Sequence, residues 1–114
     1  MSEFVRVARA DEVAPGTMKR VIVDGHAVVL VNVGGEFFAI DDTCSHEEAS
    51  LSRGTLSGEV VVCPKHGARF HVKSGRVLAL PAVRSVAVYP VRVEDGDVLV
   101  APDPQRTAGV PHRR

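Results

Sequence analysis

The sequence has no tryptophan, two cysteines and an aromatic content of only 4% in 114 residues. Valine dominates the apolar residues, and a chain rich in β-branched side chains favours strands over helices. No apolar run approaches the eighteen or so residues of a membrane span. The N-terminal stretch Met1-Ser2-Glu3-Phe4-Val5-Arg6 has no apolar leader region, so a cytoplasmic protein without membrane attachment is expected. A basic surplus is missing too: 14 basic and 14 acidic residues give a formal net charge of +0. That balance argues against a nucleic-acid partner. No internal repeat is visible, and the length suits one domain with one modest core.

The chemistry-bearing residues that remain are concentrated. Both cysteines lie beside histidines, in Cys44-Ser45-His46 and in Cys63-Pro64-Lys65-His66-Gly67, with sixteen residues between His46 and Cys63. The pattern is C-x-H followed by C-x-x-H, each after an apolar run. In the cytoplasm both thiols stay reduced and available as ligands.

The surrounding chain reads as short strands and tight turns. Strands are predicted at 4–9, 19–24, 26–33 and 36–40, the third apolar almost throughout and hence central. Asp24-Gly25 and Gly34-Gly35 are hairpin turns. A single helical turn is expected within 47–52. Short strands follow near 54–58, 59–63, 69–72 and 76–78, with Lys73-Ser74-Gly75 as a further hairpin. A last hairpin pairs 86–93 with 98–101, and Pro90 marks an edge or a bulge within it. Beyond Pro102 the composition shifts, and 103–114 reads as a disordered tail. Residues 1–102 form the domain, with a ligand-bearing region at about 41–80. An all-β barrel or sandwich is the expected class.

Two thiolates and two imidazoles suit zinc or an iron–sulfur cluster. Familiar structural zinc sites begin with C-x2-4-C and end with H-x3-5-H. Here each loop supplies one cysteine and one histidine, a division that suits a binuclear cluster, with zinc and plain buried cysteines as the alternatives.

The pattern, together with Cys63-Pro64-Lys65-His66-Gly67-Ala68-Arg69-Phe70 and Pro81, resembles the Rieske-type [2Fe-2S] ferredoxins over roughly residues 3–101. The resemblance implies the Rieske fold, a small antiparallel β base with a cluster-binding subdomain inserted between strands. It implies that Cys44 and Cys63 hold one iron of a [2Fe-2S] cluster and His46 and His66 the other. It also suggests that Gly67 directs an N–H at the cluster and that Pro81 covers one side. High-potential members of the family carry two further cysteines, in a disulfide, where this chain has Ala49 and Lys65. They carry serine and tyrosine hydroxyls where it has Ala68 and Phe70. Losing hydrogen bonds to sulfur lowers the potential, so a low-potential carrier is implied. His71 departs from the acidic residue common in the family.

The resemblance implies an electron-transfer component and not an enzyme. Such a component passes single electrons from a flavoprotein ferredoxin reductase to a terminal non-haem iron oxygenase, as a monomer. Glu47 and Glu48 beside His46, and Lys65 and Arg69 beside His66, would give a docking rim of mixed sign. The other reading is a small subunit of a larger reductase, similar to the nitrite-reductase small subunit, or a cluster-based regulatory module.

Overall fold

The computed structural model describes residues 4–43, 50–64, 67–79 and 85–105. Eleven strands are found among them: β1 (Val5–Arg9), β2 (Met18–Val23), β3 (His26–Val33), β4 (Glu36–Asp41), β5 (Thr55–Ser57), β6 (Val60–Val62), β7 (Arg69–His71), β8 (Val77–Ala79), β9 (Val88–Tyr89), β10 (Val91–Glu94) and β11 (Asp97–Val100). They form three antiparallel sheets, ordered β1-β11-β10, β2-β3-β4-β9 and β5-β6-β7-β8. The first two make the base. The third is an arm carried between β4 and β9.

The central sheet is covered on both sides, which explains why β3 is apolar almost throughout. Successive side chains of a strand point to opposite faces. Val28 and Leu30 enter a core shared with Ala8, Val98 and Val100 of the first sheet. Val29 and Val31 enter a second core with Val61, Ala68 and Phe70 of the arm. The β2–β3 turn works because Asp24 and Gly25 take φ of 50° and 84°. Two successive positive φ values match the twist of the paired strands.

The expected last hairpin is corrected at Pro90. The stretch 86–93 is two strands: β9 pairs with β4 in the central sheet, while β10 pairs with β11 in the first sheet. Proline has no N–H to give a ladder, so the chain changes sheets there. The Pro90 carbonyl accepts the Ala101 N–H at 3.0 Å and fastens the corner. Of the helical turn expected within 47–52, residues 47–49 lie outside the described residues; a 3-10 turn is found at Leu51–Arg53. Of the tail expected from residue 103, Gln105 is paired: its N–H and carbonyl both bond Val88, each at 2.8 Å. Residues 106–114 lie outside the described residues.

Candidate metal centre

Two consecutive acids, Asp41 at the end of β4 and Asp42 just after it, each fasten a different chain segment. The Asp41 carboxylate accepts the Tyr89 hydroxyl at 2.7 Å and the Ala87 N–H at 2.9 Å. Its own N–H reaches the Ala87 carbonyl at 2.9 Å. Asp41 thus holds the chain where it returns from the segment containing Pro81.

Asp42 does the same for the segment containing Cys44 and His46. Its carbonyl accepts the Leu51 N–H at 2.6 Å, and its own N–H reaches the Ala27 carbonyl at 3.0 Å. Its carboxylate accepts the Ser52 N–H at 2.9 Å and the Arg20 Nε–H at 3.1 Å. A bridge between Thr43 and Ser50 closes the same loop. The Asp42 side chain is only 2% exposed. Burial pushes its pKa up, but hydrogen bonds from the Ser52 N–H, the Ser52 and Ser50 hydroxyls and Arg20 outweigh that and hold it below the ordinary value. It stays ionised, with its charge satisfied by fixed donors.

The second ligand segment starts from β6, whose pairing with both β5 and β7 fixes its direction. Cys63 follows it and is 2% exposed. The Cys63 N–H reaches the Ala68 carbonyl at 2.7 Å, so the chain folds back on itself within five residues. Gly67 makes this turn possible with φ of 73°. A Cβ built on Gly67 would meet nothing within 4 Å, so it is the positive φ and not crowding that favours glycine there. Gly54 is constrained differently. A Cβ there would fall on the Val62 carbonyl oxygen, so the backbone after the first segment lies directly against the residue preceding Cys63.

The two segments share one core. Leu51, returning from the first segment, packs in the same cluster as Val61, Cys63, Ala68 and Phe70. A third segment joins them. The Val77 N–H reaches the Ser85 hydroxyl at 3.3 Å. The Val86 N–H reaches the Gly75 carbonyl at 2.9 Å, where a Cβ on Gly75 would collide with the Val86 carbonyl.

Of the expected ligands, Cys63 is described and buried at the head of its loop. Cys44, His46 and His66 lie outside the described residues, as do Glu47, Glu48, Ala49, Lys65 and Pro81. Ala68 and Phe70 are fully buried beside Cys63 and bring no hydroxyl to it. Sequence reasoning missed the roles of Asp41, Asp42 and Gly54. The available signal was a pair of acids closing an apolar strand immediately before the first cysteine motif.

The Rieske [2Fe-2S] domain family matches residues 3–90. This chain belongs to that family. The Rieske chain is 45% identical over 98 residues to the biphenyl dioxygenase ferredoxin subunit of Pseudomonas sp. (strain KKS102), covering 85% of this chain and 90% of that one. Its fold is similar to a chain in the complex of reduced oxygenase and oxidised ferredoxin of carbazole 1,9a-dioxygenase, with a TM-score of 0.86 and 38% identity over 91% of this chain and 97% of that one. It is also similar to a structure described as an NADH-dependent nitrite reductase small subunit from Mycobacterium tuberculosis. There the TM-score is 0.81 and the identity 29%, covering 90% of this chain and 97% of that one.

A Rieske-type [2Fe-2S] cluster is therefore the cofactor. The described residues fit it. A thiol, the soft donor such a cluster takes, stands at the head of a tight turn, buried among Leu51, Val61, Ala68 and Phe70. The protein is an electron carrier of the Rieske ferredoxin type. No helix among the described residues is long and apolar enough to cross a membrane.

Proposed function

We propose that this Rieske protein is the low-potential ferredoxin of a multicomponent oxygenase system. In that role it takes one electron at a time from a flavoprotein reductase and delivers it to a terminal non-haem iron oxygenase. Cys44 and Cys63 would hold one iron and His46 and His66 the other. When bound, the cluster supplies a one-electron couple and no open iron site for substrate.

The residues of the chain supply the rest. The Asp42 and Asp41 anchors fix the ends of two segments around the centre. Rigid anchoring keeps reorganisation small when charge is added. The core of Leu51, Val61 and Phe70 excludes water from the Cys63 side. Ala68 and Phe70 withhold the hydroxyl donors that stabilise an added electron on sulfur, which keeps the potential near the low end of the Rieske range, about −150 mV. The protein would work in the cytoplasm as a monomer, with residues 1–102 as its domain and 41–80 as the cluster-binding part.

The single observation that carries this reading is the 45% identity to a dioxygenase ferredoxin subunit over nearly the whole of both chains. The lower 29% identity to a nitrite reductase small subunit makes that the second reading. The test is reduction of the isolated holoprotein by a flavoprotein reductase, followed by reoxidation with a terminal oxygenase and substrate. Co-purification as a fixed subunit of a larger reductase, without shuttling, would favour the second reading.

A further inference from the structure

The outer face of the β5–β8 sheet carries chemistry that neither core uses. Cross-strand partners place Thr55, Val62 and Arg69 in one row and Ser57, Val60 and His71 in the next. The Arg76 carbonyl accepts the His71 N–H at 2.9 Å and so extends the second row. Leu78, 49% exposed, lies near Arg69 at the β7–β8 irregularity. The opposite face of the sheet, with Leu56, Val61, Phe70 and Val77, packs onto the core. Val60 and Val62 belong to neither core.

Among the described residues of the arm the charges are of nearly one sign. Among the described residues of 50–79, the cations Arg53, Arg69, Lys73 and Arg76 stand against one acid, Glu59. Glu59 is already satisfied, by Lys73 Nζ at 3.3 Å and His71 Nε2 at 3.1 Å. His71 Nδ1 accepts the Lys73 N–H at 3.3 Å. Arg53, Arg69 and Arg76 are exposed and form no ion pair with any described residue. The whole chain is neutral, so this excess reflects an uneven distribution rather than a basic protein.

We propose that this face is a docking surface for a redox partner whose matching patch is acidic at its rim and apolar at its centre; the inference rests on the carrier reading above. Carboxylates of the partner would take the guanidinium groups of Arg69 and Arg76, whose planar forks suit two-point pairing. Its apolar centre would cover Val60, Val62 and Leu78. The face stands at the cluster arm itself, because Arg69 pairs with Val62, the residue before Cys63. A partner held there is close to the metal centre, and opposite charge speeds its encounter.

Two probes test this on the holoprotein. Poly-L-glutamate stands in for the acidic surface of the partner. At low ionic strength it binds the wild type, and titration calorimetry shows about tenfold weaker binding to R69E/R76E. Ferricyanide is an anionic one-electron oxidant: it removes one electron from the dithionite-reduced protein and becomes ferrocyanide. It oxidises the wild type severalfold faster than R69E/R76E at low salt, and the gap closes at high salt. The visible spectrum of the variant matches the wild type. R69Q/R76Q gives intermediate values and serves where charge reversal prevents folding. Equal poly-L-glutamate affinity in wild type and variants overturns the proposal, as does an equal ferricyanide rate at low salt. Failure of the carrier reading is a separate result: no electron exchange with a reductase or an oxygenase, while arginine-dependent binding of poly-L-glutamate persists.

Discussion

The Asp42 carboxylate accepts the Ser52 N–H at 2.9 Å, joining the chain before Cys44 to the chain after residues 44–49. A buried carboxylate committed to a backbone donor fixes the two ends of a ligand loop independently of any metal. Replacing Asp42 by alanine leaves that donor without its acceptor and also removes the partner of Arg20. The expected cost is about 1–3 kcal/mol, or on the order of ten degrees in thermal midpoint for a domain of this size. Asp42→Asn falls between, since it keeps an acceptor oxygen but not the charge. Thermal unfolding with iron analysis checks this; an Asp42→Ala protein with wild-type midpoint and iron content would refute the anchoring role.

Gly54 sets how closely the chain after residues 44–49 approaches the chain before Cys63. Its hypothetical Cβ falls on the Val62 carbonyl oxygen, so Gly54→Ala must displace the residue before Cys63. Overpacking of this kind costs about 1–3 kcal/mol, and the shift is directed at Cys63, a proposed ligand. Gly54→Ala is expected to purify with less iron and weaker visible absorption per chain. Gly58→Ala, whose Cβ would meet open space at a φ of 62°, serves as the control: it strains a turn but leaves the two segments in place. Equal iron content in both variants would count against close approach at Gly54.

Ala68 and Phe70 are the proposed cause of a low potential at Cys63. Both are fully buried in its cluster and neither offers a hydroxyl. Ala68→Ser and Phe70→Tyr are each expected to raise the reduction potential. One hydrogen bond to the reduced centre is worth about 1 kcal/mol, which is on the order of 40 mV for one electron. Voltammetry on the two variants decides the point, and a lowered potential in either would contradict it.

Glu59 links stability to pH. The hydrogen bond from Lys73 is the main cause that holds its carboxyl below the ordinary value of 4.5; slight burial opposes this, and the charge of Lys73 and the His71 hydrogen bond assist. A depressed folded pKa means that the pairing contributes above the ordinary value and is lost as pH falls through the folded one. Wild type is therefore slightly more stable than Glu59→Gln near neutral pH, and the difference shrinks below about pH 4.5. Urea midpoints measured across pH test the sign; a difference that grows on acidification would contradict it.

Much of the strand pattern was legible because its signals are local. His26 to Val33 and the Asp24-Gly25 turn follow from periodicity and from which residues accept positive φ. The exchange of sheets at Pro90 was not legible, because a proline announces an interruption but not the strand that each side goes on to meet. The ligand motif was conspicuous, with both cysteines beside histidines in a chain otherwise poor in such residues. Its supports were not. Asp41 and Asp42 read only as the start of the ligand-bearing region, and only the folded chain brings Ala87, Tyr89, Leu51 and Ser52 to them. Gly54 read only as the start of a short strand, since its constraint comes from a strand eight residues away.

As proposed, this Rieske protein is a low-potential one-electron carrier. Protein-film voltammetry of the purified holoprotein at neutral pH, with iron and sulfide analysis of the same sample, tests it most directly. The expected result is about two irons per chain and a single one-electron wave near −150 mV. A colourless zinc protein without a wave, or a wave at clearly positive potential, would contradict it.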